Sequence, residues 1–273
     1  MKRLKRMLKL IVPPIVNKAI GKILISPPVV EWIGPFESWE IVADQCTAYD
    51  TNEIFNRVLY ASREVASGRA VYERDSYLFD HIEYSWPLLS ALLWVRSKDG
   101  FLNVIDFGGS LGSTFRQNVR FLSNLSNIMW NVVEQKHFVE IGNHEFETES
   151  LKFEKSIADV LNPNAILFLS TLPYLEDPWK FIQDATDSTV QYLIIDRTAF
   201  HDGSSDSIYK QIVRPPIYHA TYPCRVFAKQ VFELNMNRLG WEVLESWVSE
   251  LQPTLDGRNL GYIFIRKQTK LVP

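Results

Sequence analysis

The sequence predicts an α/β protein built on a doubly wound, mainly parallel sheet of seven strands with an antiparallel edge. Three observations predict it. From residue 101 onward, short apolar runs alternate with helix-spaced stretches, the succession that buries a parallel sheet under helices on both faces. The first run ends in the bare stretch "DFGGSLG", Asp106 to Gly112, at the carboxyl end of a strand, where open α/β sheets bind ligands. The last two runs, "WEVLESWVS" and "LGYIFIRKQ", have no helix between them and fit an antiparallel hairpin.

Residues 1–28 read as a separate arm. They hold Lys2, Arg3, Lys5, Arg6, Lys9, Lys18 and Lys22 and no acid, and they end at Ser26-Pro27-Pro28. Pro13-Pro14, Asn17-Lys18 and Lys22 break up the apolar residues, so the arm lacks the continuous core of a secretory signal. It reads as a basic amphipathic segment suited to peripheral contact with an anionic membrane, and a solvated arm fits the same residues. No stretch of about 20 apolar residues marks a transmembrane span. The net charge of −3 points to no nucleic-acid partner. The two cysteines, Cys46 and Cys224, fit a reducing compartment and argue against a structural zinc site.

Residues 29–100 read as a helical extension that caps the site or packs on the sheet. "TNEIFNRVLYASREVASG" places Ile54, Phe55, Val58, Leu59 and Val65 near helical spacing before Gly68. "SWPLLSALLWVRSKDG" is a more buried helix, with Pro87 in its first turn and Gly100 at its end. Residues 101–273 form the ligand-binding domain. Strands are predicted over "FLNVIDF", "IMWNVVEQ", "LKFEKSI", "NAILFLS" and "TVQYLIIDRTAF". Helices are predicted over "STFRQNVRFLSNL", "DPWKFIQDATD" and "VFAKQVFELNMNRLG", with a short helix or turn in "HFVEIGNHEF".

The loop Asp106-Phe107-Gly108-Gly109-Ser110-Leu111-Gly112 is tested against three ligand classes. A triphosphate loop needs a lysine before its Ser or Thr, and Gly112 is followed directly by Ser113-Thr114. A dinucleotide fingerprint needs G-x-G-x-x-G, and Ser110 and Ser113 occupy its later glycine positions. That spacing also disfavours a nicotinamide-dependent oxidoreductase. The third pattern, acid-x-G-x-G-x-G, is matched by Asp106, Gly108 and Gly112, with Ser110 at the middle glycine. It resembles motif I of class I S-adenosylmethionine methyltransferases, which have a Rossmann-like fold. The resemblance implies S-adenosylmethionine as cofactor, a ligand with no phosphate and hence no need of a gripping lysine. It implies that Asp106, Gly108, Gly109, Ser110 and Gly112 line the cofactor, and that Asp106 meets its ammonium end directly or through water. Glu134, ending the second strand, is then the acceptor for the ribose diol, and Ser170 lies in the loop near the methyl group.

More narrowly, "WIGPFESWEIVA", "VIDFGGSLGSTF", "FLSTLPYLEDP", and "IIDRTAF" followed by "RPPIYHATYPCRVF" resemble a family of bacterial methyltransferases encoded near surface-polysaccharide genes. This implies O-methylation of a sugar or glycan precursor in the cytoplasm, at the inner membrane face if the arm binds there. A non-catalytic scaffold that keeps the fold is the alternative.

A hydroxyl acceptor benefits from a general base. Candidates after the fourth strand are Ser170, Thr171, Tyr174 and Glu176; after the fifth, Asp196, Arg197, His201 and Asp202. His201 is the first choice for base because its ordinary pKa lies near working pH, with Asp196 orienting it or binding the acceptor. His137, His144 and His219 have weaker claims. "RPPIYHATYPCR" reads as a shaped loop forming a lid or acceptor wall, on which Tyr218 and Tyr222 are placed to stack on a sugar ring. Asp196, Asp202 and Asp206 make only a loose set, and no metal is expected.

Overall fold

The computed structural model describes residues 30–47, 52–215, 217–249 and 257–267. The basic arm and its membrane contact lie outside the described residues. No helix among them is long and apolar enough to cross a membrane.

The central sheet contains β4 (Leu102–Phe107), β5 (Ile128–Val133), β6 (Leu151–Glu154), β7 (Ala165–Leu169), β8 (Tyr192–His201), β11 (Trp241–Val248) and β12 (Arg258–Arg266). Its order is β6-β5-β4-β7-β8-β12-β11. The first five are mutually parallel. β12 runs antiparallel to both β8 and β11, so the reversed strand sits one place in from the edge. The runs Ala165–Leu169 and Leu193–Ile195 are wholly buried, as continuous apolar strands must be when helices cover both faces.

On one face lie α2 (Asn52–Ala66), α3 (Trp86–Asp99) and α4 (Ser113–Leu122), whose Ile54, Leu88, Leu92 and Phe115 pack with Val104, Trp130 and Ile194. On the other lie α6 (Pro178–Asp187) and α7 (Lys229–Arg238), with Ile182, Phe232 and Met236 against Ile105, Ile166 and Phe227. Local rules fix the ends. Ser85 caps α3 by accepting from Leu88 N–H, Pro87 fills its first turn, and Gly100 closes it at φ 80°.

Residues 30–100 supply α2, α3, the short α1 (Trp39–Ala43), and three strands that the pattern did not predict. β1 (Val30–Phe36) pairs with β9 (Ser207–Val213), and β9 pairs with β10 (Ala220–Ala228). These antiparallel strands join the sheet where β10 meets the far end of β8 through Phe227 and Ala228. β2 (Tyr72–Arg74) and β3 (Tyr77–Phe79) form a hairpin that packs on α2 and α4. The second half of the stretch "RPPIYHATYPCR" is therefore strand: the connection closes by residue 219, and β10 carries the rest.

Candidate active site

Register places the ends of β4, β5, β6 and β7 in one row: Phe107 lies beside Val133 and Phe168, and Val133 beside Glu154. Backbone hydrogen bonds stitch the residues that follow. Gly108 N–H donates to Val133 C=O at 2.9 Å, Glu134 N–H to Glu154 C=O at 3.2 Å, and Ser170 N–H to Asp196 C=O at 3.0 Å. Gly108, Glu134 and Ser170 thus share one edge of the sheet. α5 (Lys136–Ile141) starts just beyond Glu134, whose Oε2 accepts from Gln135 N–H.

The loop between β4 and α4 turns through three left-handed residues, Gly108 at φ 72°, Ser110 at 55° and Gly112 at 84°. Two glycines are needed for what lies beneath. A Cβ on Gly108 would stand 2.7 Å from Thr171 Cγ2, and one on Gly109 would stand 2.5 Å from the Asp106 carboxyl. Ser110 tolerates the left-handed region at a cost of about 1–2 kcal/mol. α4 begins at Gly112 with no side-chain cap bond, so its first N–H groups suit an anionic ligand end.

Asp106 does not stand at the front of this loop. It is 1 % exposed, packed behind Gly109, and its Oδ2 accepts from Trp130 Nε1 at 2.9 Å. Burial drives its pKa up to about 6, against the Trp130 hydrogen bond and the nearby Arg197 charge. The sequence reading has Asp106 meeting an ammonium end directly or through water; in the fold its carboxylate lies behind Gly109 and supports the loop from beneath. The first turn of α4 already meets one acid, Glu73 of β2. This buried carboxylate accepts from Ser113 Oγ and, at 3.4 Å, from Ser62 Oγ. Burial raises its pKa, with Ser113 and Arg116 opposing.

The two expected catalytic residues stand apart. Asp196 is 1 % exposed and its carboxylate is a hub. It accepts from Ser85 Oγ at 2.8 Å, Arg197 N–H at 2.9 Å, Trp247 Nε1 at 2.9 Å and Ser249 Oγ at 2.6 Å. That satisfies its lone pairs and leaves it binding the fold, not an acceptor. His201 lies five residues on, roughly 15 Å along the strand. Its Nδ1 accepts from Gly203 N–H at 2.8 Å and its Nε2 faces Ser207 Oγ at 3.3 Å. It closes the β8–β9 turn, and Asp196 does not orient it. Asp202 pairs with Arg258 at 3.7 Å, and Asp206 accepts from Ala228 N–H at 2.9 Å, away from Asp196. Among the described residues no three His, Cys, Asp or Glu side chains gather as a metal would require. His219 and His144 are exposed, and His137 packs edge-on against Phe55.

Tyr218 and Tyr222 are buried at 4 % and 7 % exposure, their hydroxyls 3.4 Å apart, so neither offers a free face for stacking. A strand irregularity that the sequence does not reveal places Arg197, one of the candidates after the fifth strand. Leu260 pairs with Thr198 and Tyr262 with Ile195, so Asp196 and Arg197 together oppose Gly261 in a bulge of β8. The bulge holds Arg197 at φ 52° and aims its Nε at Ser170 Oγ, 3.0 Å away. From there Arg197 also acts on Asp106 and Tyr72. The signals in the sequence were slight: two short aromatic runs around Asp75-Ser76 for the hairpin, and nothing for the bulge.

No protein-family model matches the chain, and no curated protein sequence matches it. Solved structures do. The N-terminal domain of EvdMO1, described in the presence of SAH and D-fucose, superposes with a TM-score of 0.51 at 12 % identity, covering 80 % of this chain and 100 % of that one. A S-adenosylmethionine-dependent methyltransferase from Clostridium acetobutylicum ATCC 824 gives 0.47 at 9 % identity, covering 78 % and 99 %. Magnesium protoporphyrin IX methyltransferase from Synechocystis PCC 6803 with bound SAM gives 0.47 at 9 %, covering 81 % and 100 %. The fold is the Rossmann-like methyltransferase fold. At these identities the likeness is one of fold.

Proposed function

We propose that the chain is a S-adenosylmethionine-dependent methyltransferase that O-methylates a sugar or glycan precursor. The observation behind it is the edge where the bare Gly108–Gly112 loop, the uncapped start of α4 and Glu134 lie side by side. These suit a ligand with a carboxylate end, a ribose diol and no phosphate. In this reading Gly108, Gly109, Ser110 and Gly112 face the cofactor, Glu134 accepts from its ribose, Ser170 and Arg197 border the reacting end, and Asp106 supports the loop. When bound, the cofactor supplies an electrophilic methyl group. The protein's own part is to align the acceptor, exclude water and take up a proton. The sugar assignment is supported by the narrower sequence resemblance and by the D-fucose of the EvdMO1 domain. The same resemblance favours action in a bacterial cytoplasm, with residues 1–28 as peripheral contact to the inner membrane. Co-sedimentation with anionic vesicles, lost when Lys2, Arg3, Lys5 and Arg6 become Glu, tests that contact.

Calorimetric titration with S-adenosylhomocysteine tests the cofactor. We expect binding by the wild type and a roughly 10- to 100-fold loss in Glu134→Ala, the range for a charged hydrogen bond. Absence of wild-type binding overturns the reading. A second reading, the non-catalytic scaffold, is favoured by the full engagement of Asp196; it gains if the cofactor binds but no glycan extract receives a methyl group.

A further inference from the structure

Two residues other than glycine hold left-handed backbone next to each other at the edge of the sheet: Ser170 at φ 61°, just past β7, and Arg197 at φ 52°, in the bulge of β8. Each fixes the other. Ser170 N–H donates to Asp196 C=O at 3.0 Å, and Arg197 Nε donates to Ser170 Oγ at 3.0 Å. The Arg197 N–H is shared between Asp196 Oδ1 at 2.9 Å and Ser249 Oγ at 3.1 Å. An arginine in this conformation is uncommon, and such strain persists where the surroundings over-determine it.

Direct contacts tie the pair to the glycine loop. Thr171, next to Ser170, donates from Oγ1 to Phe107 C=O at 3.0 Å, and its Cγ2 is the atom a Cβ on Gly108 would strike. The strand order β5-β4-β7-β8 sets Glu134 on one flank of that loop and Ser170 with Arg197 on the other. At about 4.8 Å between strands, the Arg197 backbone stands roughly 10 Å from the loop's own strand and roughly 14 Å from the strand that ends at Glu134. A cofactor whose ribose meets Glu134 therefore turns its other end toward the arginine.

The half-buried Arg197 guanidinium is unsatisfied. Its Nη1 and Nη2 make no hydrogen bond and no ion pair among the described residues, whereas Arg63, Arg74 and Arg225 each have an acid partner. The neighbouring Asp196 carboxylate is occupied by Ser85, Trp247, Ser249 and the Arg197 backbone. A partly desolvated cation without a contacting counter-charge favours an incoming anion. With Nε held by Ser170, the edge left over is Nη1 and Nη2, two parallel donors that match two oxygens of a carboxylate or phosphate. Backbone and Nε are already fixed, so little freedom is lost when the anion arrives.

We propose that Arg197 anchors the acceptor by an acidic group, that the substrate is a sugar or glycan precursor bearing a carboxylate or phosphate, and that Ser170 positions the guanidinium. The inference rests on the methyltransferase reading and narrows its acceptor. The cofactor also ends in a carboxylate, but in that reading the uncapped start of α4 takes it. A neutral sugar would leave the arginine fork unmatched, and a site with such a group rejects the analogue that lacks its partner.

Saturation-transfer NMR titrations, with S-adenosylhomocysteine present, compare D-glucuronate and D-glucose 1-phosphate with D-glucose. We expect at least one acidic sugar to bind the wild type about 10-fold or more tightly than D-glucose, the scale of a charged hydrogen bond. Arg197→Gln should bring that sugar down to the level of D-glucose, and Ser170→Ala should weaken it about 2- to 10-fold. Calorimetry should find the S-adenosylhomocysteine affinity of Arg197→Gln within about 2-fold of the wild type, as for an independent site. Equal binding of all three sugars by the wild type overturns the proposal without any variant. An acidic preference that survives in Arg197→Gln overturns it as well. So does a loss of S-adenosylhomocysteine affinity in Arg197→Gln with the sugar preference intact, which gives the arginine to the cofactor's own carboxylate. The two readings fail differently: if the wild type binds no S-adenosylhomocysteine, the methyltransferase reading falls and takes this inference with it, whereas binding without an acidic preference removes the acceptor assignment alone.

Discussion

Asp106 shows how one buried carboxylate makes the site pH-sensitive. Its folded pKa of about 6 lies above the ordinary carboxylate value of 3.8, because burial disfavours the charge. The protonated form is therefore preferred on folding. The stability it contributes is whole below about pH 4 and is lost as pH rises through 6. The shift of about two units corresponds to about 3 kcal/mol. Asp106→Asn keeps an acceptor for Trp130 and carries no charge. We expect it to unfold at higher denaturant than the wild type at pH 7.5, with the gain shrinking toward pH 4; equal pH dependence in the two proteins would contradict this. Ser110→Gly addresses the missing middle glycine of the motif. Relief of a left-handed serine, less the added chain entropy of glycine, should stabilise by about 1 kcal/mol or less and leave cofactor affinity within a few fold. At this scale the sequence was legible wherever the backbone dictated the residue. Gly108, Gly109 and Gly112 were found because glycine is needed there. Asp106 was found, but its burial behind the loop was not, because Trp130 sits a strand away and two residues back, and no local pattern reveals such a diagonal.

Among elements, the decisive joint is the bulge in β8. Asp196 ties β8 to the cap of α3 through Ser85 and to β11 through Trp247 and Ser249. To reach it, Trp247 crosses Gly261, where a Cβ would lie 2.1 Å from its ring. Gly261→Ala should cost several kcal/mol, since a half-buried indole hydrogen-bonded to Asp196 and a strand backbone cannot both yield. Asp196→Ala removes the acceptor of Ser85 Oγ, Trp247 Nε1 and Ser249 Oγ, with Arg197 N–H keeping Ser249 Oγ, and should cost at least about 3 kcal/mol, whereas His201→Ala, at a half-exposed turn, should cost under about 1 kcal/mol and spare cofactor binding. Urea denaturation reads all three. Long apolar strands and capped helices were legible because one segment carries the whole signal. β9 and β10 were missed because Tyr209-Gln211-Val213 alternates weakly and Pro223 argues against a strand. That proline is tolerated because, from Ala220 to Val226, β10 pairs among the described strands only with β9, and its other edge is met at Thr221 by Thr47 and not by a strand at Pro223.

For the molecule as a whole, the segment before residue 101 is built into the site. Ile54, Leu88, Leu92 and Val95, each at most 1 % exposed, form one core with the sheet. Glu73 meets α4 through Ser113, Arg63 holds Glu145 in a two-pronged ion pair at 2.5 and 2.7 Å, and Arg57 grips Ile217. Strand β1 also supplies the outer pairing of β9. A chain beginning at residue 101 would expose the apolar side of β4, β5 and β8, so it should lack a cooperative thermal transition. Ligand coupling follows from the same architecture. The loops after β4, β5 and β7, the bulge of β8 and the hairpin from the early segment lie toward one edge, so a ligand held there stabilises elements from both halves. At a concentration 100 times its dissociation constant, S-adenosylhomocysteine should add about 2.7 kcal/mol. For a chain of this size that is a rise in melting temperature of roughly 5–10 °C. The rise should shrink in Glu134→Ala and persist in His201→Ala. If instead it disappears in His201→Ala and survives in Glu134→Ala, the ligand sits at the β8–β9 turn and the carboxyl edge of the central sheet is not the binding site.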